Sequence, residues 1–154
     1  MITPHIRRIA VVLLIGVGAA TVAAQSNDRV DELLGQDPAE LGHSAYLVLS
    51  AAGVVDETAT PDEALQSATA AGLVPSGTEV TRATDFGDLS YLLMEAFGEP
   101  GGLMYRIIPG RRYAAREVVY QGWSRTRYAP GEALDGESVV RILSVYLNER
   151  GGDR

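Results

Sequence analysis

The residues whose types could do chemistry are mostly arginines and carboxylates. Between Tyr105 and Tyr128 stand Arg106, Arg111, Arg112, Arg116, Arg125 and Arg127, interleaved with Tyr113, Tyr120 and Trp123, and only Glu117 opposes them. A guanidinium offers paired N–H donors that match carboxylate and phosphate oxygens, and aromatic rings offer flat faces for stacking. The chemistry of that combination is anion binding, whether of nucleic acid, an anionic glycan, a lipid headgroup or an acidic protein face. The plainer expectation is a solvated helix face whose rings enter the core and whose arginines pair with acids elsewhere in the chain. A further arginine, Arg82, follows Thr81 just ahead of the apolar run that ends at Phe97, and it stands among acids.

Catalytic arrangements are thin by comparison. His43 and Ser44 are neighbours, and adjacent positions on a helix do not face a base toward a nucleophile. His5 is the only other histidine and the chain has no cysteine, so neither a thiolate nor a His-rich metal site is expected, and no cofactor is implied. There is no lysine to follow a phosphate-cradling glycine loop, and Asp56 and Glu57 do not have calcium-loop spacing. Asp37, Glu40, Asp62, Glu63, Asp85 and Asp88 gather where helices are expected to begin, a placement that the helix dipole explains without acid–base catalysis. A small periplasmic hydrolase using carboxylates is the alternative from another class, and it requires two acids free of capping duty to converge in a cleft.

The elements that must position these groups are marked by their ends. Asp37-Pro38-Ala39-Glu40 and Thr60-Pro61-Asp62-Glu63 share one pattern: a capping oxygen, proline in the first turn, and a glutamate able to close a capping box. Gly53 and Gly72, each after Ala-Ala, are the matching stops. The punctuation predicts helices over about 38–52 and 61–71, a third ending at Phe97, a fourth over 111–121, and a fifth over 136–149 capped by Asp135 and stopped at Gly151. Val30 to Gly35 is read as a further helical turn, and Leu103–Ile108, between Gly101-Gly102 and Pro109-Gly110, as extended. Phe86, Leu89, Leu93, Ala96 and Phe97 share one face, as do Val139, Ile142, Leu143, Tyr146 and Leu147, so each of those helices turns one side to a core.

Compartment follows from the first residues. Arg7 and Arg8 precede an apolar run from Ile9 to about Val22 and then small residues, the order of a secretory signal cleaved after Ala24; an uncleaved membrane anchor is the alternative. The remaining chain is long enough for one domain with a real core, and with no disulfide packing must hold it. From Gln25 to Glu99 there are two arginines against fourteen acids, and from Pro100 to Arg154 nine arginines against six. Such asymmetry points to pairing within the chain or with a partner. Export makes nucleic acid an unsuitable partner.

Internal similarity organises the chain further. A shift of 50 residues lays 63–74 on 113–124 and brings Asp85 onto Asp135, and a shift of 45 lays 41–53 on 86–98. The pattern of helix, glycine, loop, polar cap and helix occurs nearly twice. Tyr128-Ala129-Pro130, followed by Gly131 through Leu143, resembles the S-layer homology module, an exported all-helical repeat, and Val80-Thr81-Arg82-Ala83 resembles its aliphatic-Thr-Arg-Ala stretch. Thr84 stands where that family has Glu, and Asp135-Gly136 stand in place of Thr-Arg. The resemblance implies an envelope glycan ligand with Thr81 and Arg82 among the contacts.

The sequence therefore leads to an all-α fold of about two degenerate helix-loop-helix repeats: a signal over 1–24, an N-terminal segment over 25–36, a helical domain over 37–151, and a tail over 152–154. The expected function is a non-catalytic envelope binding or structural module. Thr81, Arg82, Arg111, Arg112, Arg116, Trp123, Arg125 and Arg127 would meet an anionic wall polymer or an envelope partner protein. Membership of an envelope protein assembly is a further alternative.

Overall fold

The computed structural model describes residues 27–152, so the expected signal and the last two tail residues lie outside the described part. Among the described residues there are seven helices and no strand: α1 (27–34), α2 (Leu41–Ala51), α3 (Pro61–Ala70), α4 (Phe86–Ala96), α5 (Leu103–Ile107), α6 (Arg111–Tyr120) and α7 (Gly136–Gly152). The protein is all-α in that sense. No helix among these residues is long and apolar enough to cross a membrane.

Local chemistry explains most boundaries. At α3, the Glu63 amide donates to Thr60 Oγ1 at 3.2 Å, the Thr60 amide donates to the Glu63 carboxylate at 2.7 Å, and Pro61 fills the first turn. The Thr60 amide and hydroxyl together hold the Glu63 carboxyl below its usual range. Asp85 caps α4 by accepting from the Asp88 amide at 2.8 Å, and Asp135 caps α7 by accepting from the Ser138 amide at 2.6 Å. α2, α3, α4 and α6 each close on a glycine with φ between 67° and 83°, namely Gly53, Gly72, Gly98 and Gly122. In that left-handed region any other residue is strained.

Three expectations need correction. α2 begins at Leu41, not Pro38, and its N-cap Glu40 makes no side-chain cap. Ala39 and Glu40 are instead drawn into backbone pairing with the segment before α4, Glu40 bridging Ala83, while Leu41 and Gly42 donate their amides to Arg82 and Val80 carbonyls at 2.8 and 2.9 Å. Distant backbone thus does what a local cap would have done. Leu103–Ile107 is a helix, because Tyr105 turns inward against Tyr91 and donates its hydroxyl to Glu95, leaving the flanking residues to wind around it. α7 runs through Gly151 to Gly152, and Leu147, expected on its buried face, is exposed.

The helix starts converge on one backbone ring. The Ala39 amide donates to the Leu134 carbonyl at 2.8 Å, the Thr84 amide to the Ala39 carbonyl at 2.8 Å, and the Leu134 amide to the Thr84 carbonyl at 2.9 Å. The corners lie 45 and 50 residues apart, the same spacings as the two sequence shifts. Around the ring each of α2, α4 and α7 hands an N-terminal amide to the segment preceding another: α2 to 80–82, α4 to the Pro130 and Glu132 carbonyls, and α7 to the Gln36 carbonyl. α3 packs on α2 and α6 on α4, while the C-terminal end of α1 lies against the start of α7. One core runs through all of them, with Leu41, Leu49, Phe86, Leu89, Leu93, Leu134 and Val139 buried.

Such close approach of helix starts to backbone forbids side chains at particular positions. A Cβ on Gly136 would fall 1.7 Å from the Leu33 carbonyl oxygen, whereas one on Gly131 would meet nothing within 4 Å. Gly136→Ala is expected to cost about 3 kcal/mol and Gly131→Ala less than about 0.5 kcal/mol, measured by denaturant unfolding.

Candidate functional site

Arg82 and Arg111 come together at the start of α4, around a carboxylate that the fold buries. The Asp88 side chain is only 2% exposed; Arg82 Nη2 donates to its Oδ2 at 2.6 Å, and Arg111 Nε lies 2.9 Å from its Oδ1, off the N–H direction. Arg111 also donates to the Asp85 carboxylate that caps the helix. Burial, reinforced by the Asp85 charge, pushes the Asp88 carboxyl above its usual range against the pull of Arg111 and Arg82. Burial works against the charge on Arg111, yet Asp85 and Asp88 together hold its proton more firmly than usual. Arg82 is therefore not alone among acids: it neutralises one of them, and Thr81 beside it is an exposed turn residue. This cluster consumes its own charges and orders the start of α4.

The remaining arginines are arranged differently. Arg112 and Arg116 on α6 and Arg127 on the loop before α7 line one groove of ≈320 Å³ with Tyr128 and Pro130. A second groove of ≈350 Å³, on the other side of Tyr128, is lined by Trp123, Arg125, Arg141 and Ile142. Among the described residues, Arg112, Arg116, Arg125, Arg127 and Arg141 have no carboxylate within 4 Å; the arginines that pair with acids are Arg82, Arg111 and Arg150. The basic second half thus does not spend most of its charge on the acidic first half.

Trp123 is largely a core residue: it is buried, and its ring meets Tyr146 edge-on at 4.7 Å, so only an edge reaches the groove. Tyr146 in turn donates its hydroxyl to Glu99 at 2.6 Å, and burial together with that bond pushes its phenol up to about 12. Two contributors were not picked out as site residues by sequence reasoning. Arg141 donates to Ser138 Oγ at 2.9 Å, and Tyr128 OH lies 3.1 Å from the same oxygen, so the wall between the grooves is tied to α7. The i, i+3 spacing of Ser138 and Arg141, beside the buried face of α7, is the signal that was there to be read.

The arginine groove has an uncharged-to-acidic counterpart. On the other helix pair, a groove of ≈400 Å³ is lined by Asp62, Gln66, Gly77 and Thr78, each 50 residues before Arg112, Arg116, Arg127 and Tyr128. The two grooves have the same backbone design and opposite charge. Against family models, curated proteins and solved structures, the chain finds no match. The site must be judged on its own geometry.

That geometry offers donors and no reacting pair. Among the described residues no three of His, Asp and Glu converge to hold a metal ion. His43 is buried between Glu32, 3.3 Å from Nε2, and Glu40, 3.1 Å from Nδ1, so its partners lie on opposite edges of the ring. Ser44 is spent on Thr84, hydroxyl to hydroxyl at 2.8 Å. The carboxylates that do converge, Asp85 and Asp88, are occupied by guanidinium groups and a helix amide.

Two outcomes follow. Asp88→Ala strands two guanidiniums and is expected to destabilise the fold by about 3 kcal/mol, whereas Arg82→Ala leaves Asp88 its Arg111 partner and costs about 1 kcal/mol, both read from thermal or denaturant melts. Because the folded chain holds the Tyr146 proton to about 12 while an unfolded tyrosine releases it near 10, this group's contribution to stability is complete below 10 and lost as pH rises through about 12. Absorbance titration should find one late tyrosine, absent in Tyr146→Phe.

Proposed function

We propose that this chain is a non-catalytic, exported envelope module that binds an anionic polymer through the groove of Arg112, Arg116 and Arg127. The observation that carries the reading is that these three guanidiniums line one groove with no carboxylate to neutralise them, while the counterpart groove of the same shape carries Asp62. Arginine forks bind carboxylate or phosphate groups bidentately, and Tyr128 supplies a ring against which a sugar can lie. Arg125 and Arg141 extend the basic surface across Tyr128, so a repeating polyanion would be held at more than one unit.

The three-cornered backbone ring, with corners at the spacing of the sequence shifts, supports treating the chain as degenerate helical repeats akin to the S-layer homology module. In this reading Arg82 and Arg111 are structural, and ligand contact passes from the Thr81-Arg82 stretch to the loop and helix around Tyr128. An envelope partner protein with an acidic face would use the same arginines.

Titration calorimetry with polygalacturonate oligomers as the anionic probe tests the reading. Binding is expected at low salt, weakened by added salt, and reduced roughly tenfold or more in Arg112→Ala/Arg116→Ala, with neutral dextran inert. Equal affinity in the variant, or failure of the protein to co-sediment with purified envelope fractions at low salt, overturns it.

A further inference from the structure

The connection between α4 and α6 carries something that the connection between α2 and α3 does not. Phe86 begins α4 25 residues before Arg111 begins α6, against 20 residues from Leu41 to Pro61, and the excess is the length of the five-residue helix α5. Tyr105 is the side chain by which α5 is fastened to the domain. Leu103, Met104, Ile107 and Ile108 point away from it, at i, i+1, i+4 and i+5, and are 71%, 51%, 62% and 54% exposed. Four adjacent aliphatic side chains in water are a cost that the fold does not need, and such a patch marks an interaction surface.

Charge identifies what covers it. Arg106 is exposed within the patch and pairs with no carboxylate among the described residues, and residues 100–116 contain four arginines and no acid. We infer that α5 seats this domain on an anionic lipid surface, its four aliphatic side chains entering the acyl boundary while Arg106 stays at the headgroup phosphates. Short amphipathic elements bind bilayers in this way, buried apolar area and attraction to anionic lipid adding together. A second copy of the chain fits less well. A five-residue helix is only about 7.5 Å long, far short of the roughly 800 Å² that each partner brings to a stable interface, and two-fold pairing of the patch would set Arg106 near its own copy. The inference does not rest on the arginine groove, since none of its four anchoring residues lines it.

The chain has no cysteine, so Met104→Cys in the full-length protein gives a single point for an environment-sensitive nitrobenzoxadiazole dye, and Val54→Cys, exposed on the α2–α3 connection, gives a control. With vesicles of equal parts phosphatidylglycerol and phosphatidylcholine, the dye at 104 should shift to the blue and be quenched by spin-labelled lipid, and the dye at 54 should not respond. Arg106→Gln should raise the vesicle concentration needed for half the shift roughly fivefold. Flotation of the protein with vesicles without a shift at 104, an equal shift at 54, or a shift at 104 that grows with protein concentration in the absence of lipid would each overturn the assignment, the last in favour of self-association.

Discussion

Three backbone hydrogen bonds, joining Ala39, Thr84 and Leu134 in a closed ring, are the constraint on which the rest of the molecule depends. All three residues are essentially without solvent exposure, and a buried amide or carbonyl left unpaired there would cost about 1–3 kcal/mol. Because each corner both gives and receives, no one of the three segments can shift without unpairing the other two. The ring sets the starts of α2, α4 and α7 side by side, which is why glycine is needed where Gly42, Gly87 and Gly136 pass close to neighbouring chain. Thr84 adds a side-chain tie, its hydroxyl meeting Ser44.

Outside the ring, the same backbone design carries different chemistry. At the start of α4 the charges are internal: Asp85 and Asp88 face Arg82 and Arg111, and the long-range contact between α4 and α6 is partly ionic. One turn further along α6, Arg112 and Arg116 point into a groove, with Arg127 opposite and no acid in reach. Adjacent arginines at 111 and 112 thus have opposite duties, decided by which side of the helix each occupies.

Helix caps were legible because their chemistry is local. Thr60 with Glu63, and Asp85 and Asp135 with the amides three residues on, can be read from spacing alone, and so can the left-handed glycines that close four helices. The start of α2 was not legible, since its amides are satisfied by Arg82 and Val80 carbonyls some forty residues away. α5 read as extended because its β-prone and aromatic residues sit between glycines and a proline; its helical turn depends on where Tyr105 finds room. In the site, the crowding of arginines was visible, but sequence could not separate Arg111, neutralised by buried partners, from Arg112, which is not. Arg141 lay outside the crowded stretch and joins it only through the fold.

The ring also bears on how the chain reaches this state. Its first corner is Ala39 and its last is Leu134, so the closing bonds span most of the described residues. Contacts so far apart in sequence are slow to form, because the intervening chain must surrender its freedom before they repay it. A chain emerging from its N-terminal end can make the capping box at α3 early, but the carbonyl that Ala39 needs does not exist until residue 134 has appeared. Until then the molecule is a set of separate helices, and the domain forms only when its last segment arrives.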